Sequence, residues 1–126
     1  GLMHIFVYGE LGRWEIQLMQ KAIALLQGDK RGDYRDGVQV GRKIFASLPE
    51  NNHLVKREKE RWAMENQRDE CFADMYVHPQ ETDYNIDTLF ELIDASELDY
   101  PVHPKILVIL ILTKEYIFII HRQSIN

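Results

Sequence analysis

An acid–base pair centred on His78 is the first chemistry that the sequence suggests. Glu81 follows three residues later and Asp74 lies just upstream, so an imidazole and a carboxylate could exchange a proton or supply part of a metal site. Pro79 separates His78 from Glu81 and disfavours a regular helix that would present both on one face. A loop-anchoring or surface role therefore stands beside substrate contact as a second interpretation, and we expect no bound metal.

Gly9 and Gly12 follow the first apolar run and precede a helical pattern, which is the context of a phosphate-binding loop. The chain contains neither GxGxxG nor GxxxxGK followed by Ser or Thr, so a nucleotide-binding glycine loop is not supported. A tight turn between a strand and a helix is the simpler interpretation of these two glycines.

Composition excludes several classes of protein. The chain has 126 residues, of which 45% are apolar and 28% charged, which suits one modest domain with a core and is unlike disordered or collagen-like sequences. A formal charge of -5 argues against general binding to nucleic acid or to an anionic membrane surface. Cys71 is the single cysteine and cannot form an internal disulfide, so we expect a reducing, cytoplasmic environment.

Hydrophobic periodicity predicts the elements of the first half of the chain. Residues 1–8 are apolar and rich in β-branched and aromatic side chains, which predicts a strand buried on both faces. Residues 13–27 follow the helical period and end before a glycine. A polar connector at residues 28–37 leads to a second, shorter helix that Asp36 caps and that ends before Pro49.

Residues 54–67 are the most charged part of the chain and have a thin apolar face. This pattern predicts a surface helix, whose charges either keep the face solvated or form a binding surface for a partner. The following residues, 69–81, are a mixed segment in which Pro79 ends any regular element.

The last third of the chain contains a further helical pattern and two strand patterns. Residues 86–96 repeat apolar side chains at helical spacing, and Asn85 or Asp87 can cap the helix. Residues 105–112 and 116–121 are strongly β-favouring runs joined by a short polar link, which predicts a β-hairpin. Both runs are too short to cross a bilayer.

Two stretches of the sequence resemble one known family. GLMHIFVYGELGRW, at residues 1–14, is similar to a strand-and-helix segment of class I S-adenosylmethionine-dependent methyltransferases, in particular of a bacterial group associated with tetratricopeptide repeats. DMYVHPQE, at residues 74–81, followed by Tyr84 and the helix at 86–96, resembles a later segment of the same group. Together the two stretches span roughly residues 1–98.

The resemblance implies an α/β fold class: the C-terminal portion of a Rossmann-like methyltransferase sheet with a helical insertion and a terminal β-hairpin. Residues 1–126 would form a single incomplete domain, methyltransferase-like over 1–98 and with a divergent β-hairpin tail at 99–126. The glycine-rich cofactor loop of the family lies upstream of the matching strand. S-adenosylmethionine is therefore expected as the cofactor of the complete parent enzyme, and no cofactor is expected for this chain alone.

Candidate substrate-side residues also follow from the resemblance, although it identifies no catalytic base. Residues just beyond the carboxyl ends of such strands face the ligand crevice, so Tyr8 and Glu10 would lie nearest the substrate. Arg13, His78 and Glu81 are weaker candidates carried over from the matching stretches.

The tail departs from the family's pattern. Glu97 stands where the family has a glycine that closes the preceding helix, so the favoured left-handed cap is lost. A fragment with an exposed strand edge is expected to associate with other copies of itself.

The predicted function is an inactive portion of a methyltransferase with an unknown methyl acceptor. The alternative is a small stand-alone α+β protein-interaction module that uses residues 54–67 as its partner surface.

Overall fold

Helices dominate the computed structural model of the chain, which describes residues 2–77, 81–97 and 116–122. Short 3-10 turns lie at Leu11–Arg13, Gly28–Lys30 and Glu65–Gln67. Within the described ranges, the strands and α-helices are, in chain order, β1 (Leu2–Gly9), α1 (Trp14–Gln27), α2 (Tyr34–Ser47), α3 (His53–Arg61), α4 (Asp69–Tyr76), β2 (Asp83–Tyr84), α5 (Ile86–Ala95) and β3 (Tyr116–Arg122).

The three described strands form one mixed sheet in the order β2-β1-β3. β1 and β2 are parallel and are paired only at Tyr8 with Asp83 and at Gly9 with Tyr84. β1 and β3 are antiparallel, with a continuous register that runs from Leu2 opposite Arg122 to Tyr8 opposite Tyr116. The apolar, β-branched composition of both long strands favours this extended pairing.

The predicted fold class is wrong. A Rossmann-like sheet requires several parallel strands joined by crossover helices, whereas the described residues are mostly helical and their parallel pairing covers two residue pairs. The predicted terminal hairpin is not part of the described sheet, in which its second strand, β3, pairs with β1 at the other end of the chain. The first strand of that hairpin, residues 105–112, lies outside the described residues.

The chain divides into two compact units. The sheet unit comprises residues 1–14 and 82–126, and the helical unit comprises residues 15–81. In the sheet unit, Val7 packs with Leu89 and Ile93 of α5. Phe6, on the opposite face of β1, is 47% exposed, so the prediction that this strand is buried on both faces does not hold there.

The helical unit has its own apolar core, contributed by α1, α2, α4 and the residue after α4. Gly41 of α2 permits close packing, because a Cβ atom there would lie 2.6 Å from Cε1 of Phe72 and 2.8 Å from Cδ1 of Ile23. The buried residues of this core are Ile16, Met19, Ile23, Val38, Phe72, Ala73, Tyr76 and Val77.

Local signals explain where the helices begin and end. The predicted first helix is confirmed as α1, and Gly28 follows it with a φ of +54°, a conformation that favours glycine. The predicted cap of α2 is wrong: the carboxylate of Asp33, not that of Asp36, accepts from the Arg35 and Asp36 amides, so the helix begins earlier. α2 is consequently as long as α1, with 14 residues in each.

The remaining helices include one confirmed prediction and one that was missed. Asn85 caps α5 as expected, and Thr88 completes the reciprocal capping box. The mixed segment after residue 68 forms α4, whose Phe72 and Tyr76 are buried in the helical unit. No helix in the described part of the chain is long and apolar enough to cross a membrane.

Candidate functional site at the ends of two parallel strands

The candidate site lies in the sheet unit, where β1 and β2 end side by side. Parallel strands bring their carboxyl ends to the same edge of a sheet, and here the chain turns directly after both. The Glu10 amide donates to the Tyr84 carbonyl at 2.8 Å, which extends the pairing beyond Gly9. The residues that follow the two strands are thereby brought close together.

Arg13 is the buried cation of this site. It is 4% exposed, and its guanidinium carbon lies 3.7 Å from the centroid of the Tyr8 ring. Its Nε lies 3.6 Å from Oδ1 of Asp83, whose side chain is also buried. Because a charge transferred from water into a protein interior needs compensation, the carboxylate and the aromatic face together stabilise the guanidinium there.

Glu10 is fixed by an amide rather than by a cation. Its Oε2 accepts from Nδ2 of Asn85 at 3.0 Å. The Oδ1 of the same asparagine accepts from the Thr88 amide at 2.9 Å and caps α5. Asn85 therefore couples the first turn of a helix to the orientation of the Glu10 carboxylate.

The arrangement can recognise a hydrogen-bond donor. A half-buried carboxylate that is held in one orientation can accept from a hydroxyl or amino group of a ligand, and Glu10 is such a group. The Tyr8 ring offers a half-buried aromatic surface next to it along the chain. Among the described residues, no three His, Cys, Asp or Glu side chains are grouped in a way that could hold a metal ion.

Three of the five predicted site residues lie at or just beyond the end of β1. Tyr8 and Arg13 are in direct contact, whereas Glu10 accepts from Asn85. Glu81 belongs to the helical unit, where it lines a cavity of about 500 Å³. His78 lies outside the described residues.

Asp74, which the sequence placed near His78 and Glu81, lines a different depression. This second cavity, of about 600 Å³, lies between α2 and α4, and Asp69, Glu70 and Tyr34 also border it. Asp74 and Glu81 thus line separate cavities of the helical unit.

A network of polar side chains, several of them buried, connects α3 to the rest of the helical unit. Glu15 accepts from both His53 and Arg57, and Arg57 is 8% exposed. Glu58 accepts from the Tyr76 hydroxyl and, at 2.8 Å, from Nδ2 of Asn66. Part of the charge in the predicted surface segment at 54–67 is therefore directed inward, where it stabilises helix packing.

Sequence reasoning missed Asp83 and recognised Asn85 only as a helix cap. β2 is two residues long, which is too short for an alternating pattern to reveal a strand. Because β2 was not predicted, there was no reason in the sequence to expect Asp83 beside Arg13 or Asn85 beside Glu10. An aspartate two residues before a capping asparagine was the one available signal.

Comparison with known proteins gives one informative relative. No protein-family model matches the chain. An uncharacterized protein of the cyanobacterium Synechococcus sp. (strain ATCC 27144 / PCC 6301 / SAUG 1402/1) is 68% identical over 100 residues, which cover 79% of this chain and 24% of the relative. The chain thus spans about a quarter of the length of the curated relative that it matches.

Proposed function

We propose that the chain is the substrate-side portion of a longer, cytoplasmic S-adenosylmethionine-dependent methyltransferase and is inactive alone. The observation that carries this proposal is the cluster of Tyr8, Glu10 and Arg13 at the ends of two parallel strands. These are residues for which the resemblance to methyltransferases implied a place near the substrate. The match to a quarter of a longer, uncharacterized relative supports the part of the proposal that concerns a longer polypeptide.

In the proposed reaction, S-adenosylmethionine held by the rest of the parent enzyme would supply the methyl group. An oxygen or nitrogen of the acceptor would bond to the methyl carbon as the carbon–sulfur bond breaks, with the electron pair leaving on the sulfur and the acceptor's proton passing to water. The residues of this chain would contribute mainly by aligning the acceptor.

Glu10 is the residue we assign to acceptor alignment. The Asn85 amide occupies one of its carboxylate oxygens, and a hydroxyl or amino group of the acceptor donates to the carboxylate. Arg13 is a positioning residue, because its charge is neutralised by Asp83 within the site and its guanidinium packs on Tyr8.

The first test asks whether the parent is a methyltransferase. The matching 100-residue segment of this chain replaces its counterpart in the Synechococcus relative, an exchange that 68% identity favours. We expect the hybrid to bind S-adenosylmethionine in isothermal titration calorimetry and the 126-residue chain to show no binding. Absence of binding by a folded hybrid would overturn the proposal and leave the interaction module as the surviving function.

The second test addresses Glu10. Tritium transfer from methyl-labelled S-adenosylmethionine into fractions of a cyanobacterial extract is compared for the hybrid, its Glu10→Gln variant and an exposed control on α5, Glu91→Gln. We expect at least a tenfold loss for Glu10→Gln, with unchanged S-adenosylmethionine affinity, and no loss for the control. Equal transfer by all three proteins would remove Glu10 from the site.

A further inference from the structure

The cavity of about 500 Å³ in the helical unit has the features of a small-molecule site. Ile23 and Ala24 of α1 and Val77, which follows α4, contribute apolar surface to its lining. Ligand pockets typically have volumes of about 300–1,000 Å³ and combine a mostly apolar lining with a few polar groups that determine specificity. The polar groups of this lining therefore indicate which class of molecule the cavity could bind.

Gln27 offers an unsatisfied acceptor to the cavity. It is 7% exposed, and its Nε2 contacts the carbonyl oxygens of Lys30 and Asp33, at 3.2 and 3.0 Å, and Oδ2 of Asp36 at 3.3 Å. None of these three acceptors belongs to the cavity lining, whereas Gln27 does, so Nε2 is turned away from the cavity and Oε1 toward it. This Oε1 has no hydrogen-bond partner among the described residues, and a ligand N–H that donates to it would satisfy a buried acceptor.

Gln20 repeats this arrangement two helical turns earlier. Its Nε2 donates to the Met75 carbonyl at 2.9 Å, which connects α1 to α4. Its Oε1 likewise has no partner in the part of the chain that the structure describes. Because residues seven apart lie on the same side of a helix, Gln20 and Gln27 both line the cavity and give it two carbonyl acceptors of fixed orientation.

Two cations lie beside these acceptors. Lys21 and Arg31 also line the cavity, and neither forms an ion pair within the described ranges. Glu81 contributes one carboxylate to the same lining, so cations outnumber anions there by two to one. This balance favours an anionic group, and carboxylates are common partners of arginine and lysine. It disfavours a ligand that brings a further positive charge.

We propose that this cavity binds a small carboxylate that carries a neutral amide N–H and a short apolar group, as in an N-acylated amino acid or the carboxyl end of a peptide. Lys21 and Arg31 hold the carboxylate, Oε1 of Gln27 accepts from the amide N–H, and the apolar group lies against Ile23 and Val77. The inference goes beyond the proposed function and is independent of it, because the residues involved belong to the helical unit.

The test is an NMR titration of the isotope-labelled 126-residue chain with N-acetyl-leucine. We expect shifts of the backbone amides in the second half of α1 and at Val77, and of the side-chain amide of Gln27. Two analogues each remove one recognised group: N-acetyl-leucinamide lacks the carboxylate, and the acetyl ester of leucic acid has an ester oxygen in place of the amide N–H. We expect each analogue to bind at least about fivefold more weakly.

On the protein side, Lys21→Gln combined with Arg31→Gln removes both cations at exposed positions, so the fold should be retained. We expect this double variant to bind N-acetyl-leucine at least about fivefold more weakly and to bind N-acetyl-leucinamide as before. Lys43→Gln, which removes a positive charge at an exposed position of α2, is the control and should bind both as the original chain does.

An acetylated tripeptide that ends in leucine distinguishes the two sources of this chemistry. Tighter binding than that of N-acetyl-leucine would assign the cavity to the carboxyl end of a peptide. Equal or weaker binding would assign it to a free acylated amino acid.

Four results would overturn the inference. Absence of shifts at millimolar N-acetyl-leucine would mean that the cavity does not bind such acids. Equal affinity for N-acetyl-leucine and either analogue would mean that the missing group is not recognised. Equal binding by the double variant and the original chain would remove Lys21 and Arg31 from the site. Tighter binding of free leucine would show that the donor is an ammonium group. S-adenosylmethionine binding is measured on the hybrid, so failure of the methyltransferase proposal is distinguishable from failure of this one.

Discussion

At the scale of single residues, Glu97 occupies a backbone conformation that favours glycine. Its φ is 54°, and it follows the C-cap of α5, where helices often end in a left-handed residue. A side chain in this region costs roughly 1–2 kcal/mol because Cβ approaches the backbone. Position 97 thus has the left-handed geometry that usually favours glycine, although it carries a glutamate.

Glu97→Gly should therefore stabilise the protein. Relief of the steric cost exceeds the extra entropy that glycine adds to the unfolded chain, so we expect the free energy of unfolding to rise by about 0.5–1 kcal/mol. Urea titration followed by circular dichroism measures the change. The control is Ser96→Gly, whose φ of -91° gives glycine no advantage and which should lower stability. A loss in both variants would contradict the expected strain at Glu97.

The candidate site shows what residue patterns reveal and what they omit. The capping asparagine was identifiable because a helix start has a local signature. Its second role, as donor to the Glu10 carboxylate, depends on the parallel pairing of β1 with a strand of two residues. Contacts between groups far apart in the chain leave no local periodicity, so Asp83 could not be linked to Arg13 in advance.

At the scale of elements, the close approach of α2 to its neighbours depends on Gly41, which has no side chain. A Cβ atom at Gly41 would lie 2.6 Å from a ring carbon of Phe72 and 2.8 Å from the terminal methyl of Ile23. Both neighbours are fully buried. Because interiors are packed close to crystalline density, neither can move without disturbing the core.

Gly41→Ala is expected to destabilise the protein despite alanine's higher helix propensity. Overpacking costs about 1–3 kcal/mol and the propensity gain returns up to about 1 kcal/mol, which leaves a loss of up to about 2 kcal/mol. Chemical denaturation measures it. Gln39→Ala, at an exposed position of the same helix, is the control and should change stability by less than about 0.5 kcal/mol. An unchanged midpoint for Gly41→Ala would show that α2 can shift outward at no cost.

Elements were predicted best where the helical period was long or the cap was explicit. α1, with 14 residues, meets the first condition, and α5, with its capping box, meets the second. α4 was missed because its eight residues are too few to establish a helical period and follow a polar, charged stretch. It is stabilised by the burial of Phe72 and Tyr76 against other helices, a tertiary effect that overrides weak local preference.

At the scale of the whole molecule, two separate cores explain why the predicted fold class was wrong. The first and last described strands, β1 and β3, are partners, while residues 15–81 form a unit with its own core. The strand predictions at residues 1–8 and 116–121 were correct as elements, but a strand pattern does not specify its partner. The resemblance to methyltransferases led to the prediction of a Rossmann-like sheet, and the described residues do not contain that topology.

The helical unit should fold without the sheet unit, because the core residues from Ile16 to Val77 all lie within residues 15–81. A unit of this size is only marginally stable, so we expect one cooperative transition with a free energy of unfolding of a few kcal/mol. The fluorescence of Trp62 reports it directly, since Trp14 falls outside the fragment. Phe72→Ala removes a fully buried ring and should abolish the transition, at a cost of about 3–5 kcal/mol.

A fragment that retains helical circular dichroism but binds ANS and lacks near-ultraviolet signal would be a molten globule. That outcome would mean that the helices need the sheet unit or the rest of the parent polypeptide for fixed packing.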